Sequence, residues 1–238
     1  MQGIILAAGK GTRLAPLTHV FPKALVKING ITLLDINLRK LLSAGVSPIV
    51  INLHTFGRLI KQHVLLHYDR GDILFSEEPF EILGTGGGIV QAASFLSATD
   101  TVLVHNVDVL SDVDLENFFE AYTTSHVDVL LVVKKRHSSR ELLFDLHTMD
   151  WVGWRGQNDQ IHVKPSSHIA SFGFCGISLF NAQFLHGISE RRPFSFIQLL
   201  ERLFQMGAQI KAYQVEDDWM DAGKLVDLKL AKLFISKQ

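Results

Sequence analysis

The chain has 238 residues, 47% hydrophobic and 20% charged, which is enough to bury a full core as one domain. With 23 Lys and Arg against 24 Asp and Glu, the formal net charge of -1 creates no global field for nucleic acid or an anionic membrane, so a polyanionic ligand needs a local set of donors. One cysteine, Cys175, excludes an internal disulfide. No stretch approaches the roughly 20 apolar residues that span a bilayer, and the first apolar run is too short for a secretory signal, so a cytoplasmic protein is expected.

The first half alternates strand and helix patterns. Gly3 to Leu6 is a short continuous apolar run, read as a strand buried on both faces. Thr32 and Asp35 have capping-box spacing and open an amphipathic helix to Ala44, with Gly45 as its stop. Pro48 to Leu53 reads as a strand, Phe56 to Leu66 as a helix and Ile73 to Phe75 as a third strand. Gly88 to Phe95 reads as a helix, led into by the Gly84–Gly88 segment. Thr101 to His105 is the next strand, Asp112 to Ser125 a helix, and Val127 to Val133 a strand. This order predicts a largely parallel sheet with helical crossovers.

From Leu142 to Phe180 short alternating runs, including Trp151–Arg155 and Ile161–Lys164, read as antiparallel strands added to that sheet. Ser195 and Gln198 form a second capping box before a helix to about Met206. Gln209 to Gln214 reads as a strand, and Lys224 to Ile235 as a closing helix. The expectation is one α/β domain over residues 1–238, with a mostly parallel mixed sheet and a smaller antiparallel C-terminal elaboration.

The strongest local signal is Leu6-Ala7-Ala8-Gly9-Lys10-Gly11-Thr12-Arg13-Leu14. Ligands of parallel α/β sheets bind at the carboxyl ends of the strands, where this loop leaves the first one. Gly9 and Gly11 permit a turn whose N–H groups approach a phosphate chain, and Lys10 and Arg13 add charge. The string GxxxxGK[ST] is absent, and the third glycine position of GxGxxG holds Leu14, so neither a P-loop nor a dinucleotide fingerprint is present.

The loop, followed by Phe21-Pro22-Lys23-Ala24-Leu25, resembles the signature of the sugar-phosphate nucleotidyltransferase family. Gly84-Thr85-Gly86-Gly87-Gly88 resembles that family's second glycine segment, His105-Asn106-Val107-Asp108 its metal-binding strand end, and Trp219-Met220-Asp221-Ala222-Gly223 its late W-x-D-x-G segment. The resemblance implies a Rossmann-like three-layer fold with a nucleotide-binding half (residues 1–135) and a sugar-phosphate-binding half (136–238). Leu6, Ala7, Ala8, Gly9, Gly84, Thr85 and Gly86 would border the nucleoside, and Gly11, Thr12 and Arg13 the triphosphate. Arg13 and Lys23 would be catalytic, and Asp108 and Asp221 would bind Mg²⁺, a hard cation held by one or two carboxylates. Asn106, Lys164 and Gly176 would meet the sugar phosphate.

Two places depart from the pattern or leave it open. His162-Val163-Lys164-Pro165 carries Val163 where the family's Glu-Lys-Pro has its acid. Glu77 and Glu78 stand where the family reads the base, although carboxylates here suit either uracil or guanine. The implied partners are an NTP (UTP or GTP) and a sugar 1-phosphate. The segments are most similar to N-acetylmuramate 1-phosphate uridylyltransferases, with mannose- or heptose-1-phosphate guanylyltransferases, a phosphocholine cytidylyltransferase or a catalytically silent nucleotide-sugar-binding subunit as alternatives. His63 and His67, four apart, lack further visible ligands for zinc, and Cys175 reads as a packing residue.

Overall fold

The computed structural model describes every residue except 16, 17, 19, 69, 70, 79, 157–159, 163, 191, 224 and 236–238. In chain order the first half comprises β1 (Gln2–Leu6), a small ribbon of β2 (Lys27–Ile28) and β3 (Ile31–Thr32), α1 (Leu33–Ser43), β4 (Ile49–Leu53), α2 (Gly57–His67), β5 (Ile73–Glu77), α3 (Gly84–Ala93), β6 (Thr101–Asn106), β7 (Val109–Ser111), α4 (Leu115–Ser125) and β8 (Val129–Lys134). The second half adds β9 (Glu141–Asp145), β10 (Trp151–Arg155), β11 (Gln160–His162), β12 (Ile169–Asn181), α5 (Ala182–His186), α6 (Phe196–Gln205), β13 (Ile210–Gln214), β14 (Trp219–Asp221) and α7 (Leu225–Ile235).

Strand β1 shows why the central sheet needs cover on both faces. Successive side chains of a strand point opposite ways, and here Ile4 enters one hydrophobic cluster while Ile5 enters another. On the Ile5 side lie Leu34, Leu38 and Leu41 of α1, Ile60 and Val64 of α2, and Phe118 of α4. On the Ile4 side lie Ile89 and Ala93 of α3, Leu185 of α5, and Leu199, Leu200 and Leu203 of α6. The result is an α/β/α sandwich. Among the described residues no helix is long and apolar enough to cross a membrane.

The expected parallel core is present: β1 pairs in parallel with β4 and β6, and β4 with β5. β12 makes the sheet mixed. Its 13 residues run antiparallel to β6, β8 and β9, with a break in register between Phe174 and Ser178. β13 returns parallel to β8, so the 209–214 strand belongs to the main sheet. A third, smaller cluster of Leu14, Ile28, Leu33, Leu110, Ala222 and Ala231 ties α7 and the two ribbons, β2–β3 and β7–β14, to the body.

Two helix boundaries differ from expectation. Residues 112–114 precede α4, because the Asp114 side chain accepts from the amides of Glu116 and Asn117 and so starts the helix there. α3 is helical through the whole glycine run. Both capping residues act as read: Thr32 accepts from the Asp35 amide, and Ser195 and Gln198 form a reciprocal capping box. The 224 boundary of α7 lies outside the described residues.

Helices α1 and α2 are cross-linked by Asp35, whose carboxylate meets His63 Nε2 (2.8 Å) and accepts from the Tyr68 hydroxyl (2.9 Å). His67 Nδ1 instead lies 2.7 Å from the His63 carbonyl, so the two imidazoles do not converge on a shared ion. Burial alone would raise the Asp35 pKa, but hydrogen bonds from Thr32, His63 and Tyr68 outweigh it and hold the group below its usual value of 3.8. A carboxylate with a depressed folded pKa stabilises above its unfolded pKa, and that contribution is lost as pH falls through the folded one. Thermal melts of Asp35→Asn between pH 3 and 7 should show a lower Tm than wild type at pH 7 and a gap that closes below about pH 4.

Candidate active site

The loop after β1 leaves the sheet between its two parallel neighbours. The Ala7 amide donates to the Asn52 carbonyl of β4 (3.0 Å), and the Leu6 carbonyl accepts from Val107 just past β6 (3.2 Å). Gly11 then takes left-handed φ 62°, which reverses the chain into a 3₁₀ turn at Thr12–Leu14. Its carbonyl accepts from Thr18 Oγ1 at 2.7 Å, and a Cβ on Gly11 would meet Thr18 at 2.9 Å. Conformation and space both require glycine there.

This loop floors a cleft of about 340 Å³ lined by Leu6, Ala7, Ala8, Gly9, Gly11, Thr12, Arg13, Lys23, Gly84, Thr85, Asn106 and Asp108. Asn52, Glu78, Ile82, Val107 and Gly223 complete the lining. Most of the residues singled out in sequence therefore converge on one concavity at the carboxyl edge of the sheet. Gly86, Gly176, Lys164 and Asp221 are not among the lining residues.

Asp221 stands directly behind the cleft. The β7–β14 ribbon pairs Asp221 with Val109, and the Ala222 amide donates to the Asp108 carbonyl (2.8 Å), so the two acids are fixed side by side through the backbone. Buried Lys23 donates a short hydrogen bond to Asp108 and lies 3.9 Å from Asp221 Oδ1. Arg13 lies 3.6 Å from Asp221 Oδ2. Burial first, and then the negative charge of Asp108, push the Asp221 pKa upward against the pull of Lys23 and Arg13. Asp221 Oδ1 is buried without a hydrogen bond. A like-charged pair with an orphaned oxygen fits a divalent cation. Among the described residues no group of three or more His, Cys, Asp or Glu converges, so such an ion would complete its shell with substrate oxygens and water.

The other predicted residues have different surroundings. Gly176 adopts φ 76°, and a Cβ there would meet the Asn106 amide at 2.8 Å, so this glycine seats Asn106 at the cleft wall. Gly84 and Gly86 are packed against Phe194, with its carbonyl 2.6 Å and its ring 2.5 Å from their would-be Cβ atoms. The bare side of Gly86 thus faces the chain before α6, not the cleft. Lys164 is exposed and donates to Asp150 at 2.8 Å, in a hollow with Phe204 and Gln209. The structure does not bring it to the cleft, and Val163 lies outside the described residues.

Glu77 and Glu78 separate clearly. Glu77 is exposed and paired with Lys61. Glu78 is buried, accepting from Asn52 Nδ2 at 2.8 Å and from the Leu83 amide at 2.7 Å, and it lines the cleft. Gly88 leaves room for this pair, since a Cβ there would lie 2.9 Å from Glu78 Oε1. Asn52, which no sequence motif marks, is the one polar side chain of the otherwise apolar β4. Gly223 matters for packing: a Cβ would sit 2.5 Å from Asp221 Oδ1 and 3.1 Å from the Arg13 guanidinium. His105 is fully buried, with its pKa pushed down to about 4 by that burial, and adds no charge near neutral pH.

Comparisons with known proteins bear on family and fold. The nucleotidyl transferase family profile matches residues 2–238. An N-acetylmuramate alpha-1-phosphate uridylyltransferase of Caulobacter vibrioides is 30% identical over 227 residues, covering 92% of this chain and 90% of that protein. A mannose-1-phosphate guanyltransferase of Gibberella zeae is 29% identical over 231 residues, covering 95% of this chain but 62% of its own length. The fold matches HddC from Yersinia pseudotuberculosis complexed with GMP-PN at a TM-score of 0.76 and 22% identity, over 98% of this chain and 99% of that one. By the profile match across the chain and the relative covered almost end to end, the chain belongs to the nucleotidyl transferase family, as a sugar-1-phosphate nucleotidyltransferase.

Proposed function

We propose that the chain transfers UMP from UTP to N-acetylmuramate 1-phosphate with release of pyrophosphate, using Mg²⁺ at Asp108 and Asp221. The observation that carries the reaction type is the meeting of Asp108, Asp221, Lys23 and Arg13 beside the Gly9–Arg13 loop. The choice of substrates rests on the Caulobacter relative, of which the chain covers 90%. The guanylyltransferase relatives support GTP with mannose 1-phosphate as the second reading.

In the proposed reaction an acceptor phosphate oxygen attacks the α-phosphorus in line, and the bond from that phosphorus to the bridging oxygen of pyrophosphate breaks. The acceptor is already ionised, so no strong general base is required. Residues Leu6 to Gly9, Gly84 and Thr85 hold the nucleoside, and Asn52 and Glu78 present the polar edge nearest the base. The turn at Gly11–Thr12 and the exposed Arg13 guanidinium receive the leaving pyrophosphate. Lys23 neutralises the reacting phosphates from its buried seat, and catalysis is alignment and charge compensation. A divalent metal, when bound, supplies Lewis-acid stabilisation at the same phosphates.

A pyrophosphate-release matrix of UTP, GTP and CTP against a panel of sugar 1-phosphates tests this reading. Turnover with UTP and N-acetylmuramate 1-phosphate is expected. Preference for GTP and mannose 1-phosphate would move the assignment to the second reading, and no release from any pair would support a silent nucleotide-sugar-binding protein. Asp108→Asn is expected to keep the wild-type circular dichroism spectrum and lower kcat by about 100-fold or more, and near-normal turnover at limiting Mg²⁺ would sink the metal assignment. Gly223→Ala is expected to lower kcat by roughly 10- to 100-fold through displacement of Asp221 and Arg13, while Tm moves by only a few degrees.

A further inference from the structure

Arg136 lies just beyond β8, in the half of the chain that contributes no cation to the cleft lining. Its side chain crosses Gly173 closely, where a Cβ would stand 2.7 Å from both Cγ and Nε. On another side it meets the Trp219 ring, with Cζ 4.4 Å from the centroid. One terminal nitrogen donates to the Phe174 carbonyl at 2.6 Å, and Nε is buried with no hydrogen-bond partner. The thiol facing it, Cys175, is buried and its pKa is pushed up to about 11, so it offers no countercharge. Among the described residues no carboxylate pairs with Arg136. A half-buried guanidinium held by a carbonyl and a ring, without a carboxylate in ion-pair contact among the described residues, keeps donor capacity for an oxyanion.

Its position gives that charge a use. Side chains two apart on a strand share a face, so Trp219 and Asp221 of β14 point the same way, and Arg136 stacks on the first of them. A second route leads to the same place. Asn106 of the cleft wall rests on Gly176, the adjacent Cys175 carbonyl accepts from Trp219 Nε1 at 2.7 Å, and the Phe174 carbonyl before it accepts from Arg136. The break in the β12 register falls over these three residues, which meet Asn106, Trp219 and Arg136. Lys134 pins the approach to β14 by donating to the carbonyls of Glu216 and Asp217. Lys164 is tied to Asp150.

We propose that Arg136, stacked on Trp219 two residues before Asp221 on β14, is the docking point for an anionic group of the acceptor. This rests on the sugar 1-phosphate reading above. A planar fork stacked on an aromatic ring suits bidentate binding of an oxyanion. Two groups of the acceptor share that chemistry: its phosphate, and a carboxylate carried on its ring.

The test is steady-state pyrophosphate release by the intact protein, comparing wild type with Arg136→Met, Arg136→Lys and Lys164→Ala. The two probes are N-acetylmuramate 1-phosphate, which bears a carboxylate, and N-acetylglucosamine 1-phosphate, which does not. KM is read for each, or Ki where a compound only inhibits. Arg136→Met retains the stem over Gly173 and is expected to raise the acceptor constant roughly 10- to 100-fold, with the KM for UTP within about twofold of wild type. An equal loss for both acceptors assigns Arg136 to the phosphate, and a loss confined to the carboxylate-bearing one assigns it to the ring carboxylate. Arg136→Lys should recover part of the loss, since the ammonium keeps charge without the fork. If Arg136→Met does not fold, the smaller rise in Arg136→Lys carries the same reading.

Acceptor constants unchanged within about twofold in the variants, an equal rise in the KM for UTP, or the loss appearing in Lys164→Ala instead would overturn the proposal. Failure of the wild type to turn over any acceptor would count against the parent reading alone. Calorimetric titration of the same two sugar phosphates into wild type and Arg136→Met would then decide the role of Arg136, with equal affinity for the two proteins overturning it.

Discussion

Two carboxylates that repel each other are held within reach of one buried lysine, and much of the chain is arranged to keep them there. Asp108 lies in the turn just past β6, in the middle of the sheet, whereas Asp221 arrives on a short ribbon after nearly the whole chain has been laid down. Electrostatics alone would separate them, and burial makes the repulsion stronger by lowering the local dielectric. The opposing force is structural. The ladder between β7 and β14, the Ala222–Asp108 backbone bond and the small cluster around Leu110 and Ala222 fix the spacing. Lys23 and Arg13 then supply positive charge from the β1 side. Folding energy holds a concentration of charge that a cation and a triphosphate can use.

Glycines serve the same arrangement in two ways. At Gly11 the chain needs a left-handed turn, so the residue shapes the loop itself. Elsewhere glycine is an absence that another group fills. Gly88 admits the Asn52–Glu78 pair, Gly176 seats Asn106, Gly223 admits Asp221 and Arg13, and Gly173 admits Arg136. The cleft is lined by polar side chains that press against backbone, which limits their rotamers before any ligand arrives.

Much of the fold was legible from pattern. Apolar runs with period-two or continuous character gave the strands, and Thr32 and Ser195 with their partners gave two helix starts that the structure reproduces. The loop from Leu6 to Arg13 was legible as a site because small residues and cations follow a buried strand. What stayed hidden depends on contacts between distant segments. No local feature tells that Gly86 faces Phe194, or that of two adjacent glutamates Glu77 turns outward to Lys61 while Glu78 turns inward to Asn52. Likewise Lys164 matched a motif yet is tied to Asp150, while Arg136 matched none and lies beside Trp219. Identity of letters does not report which partner a long side chain will find.

The late position of Asp221 also means that the acid pair exists only once β14 has been added. A nascent or truncated chain that stops before β14 already contains the Gly9–Arg13 turn, Lys23, α3 and Asp108, and so has the residues that line most of the cleft. It has no second acid, and Lys23 is left paired with the first. The short stretch 219–223 therefore separates a chain that carries most of the cleft lining from one that carries both acids.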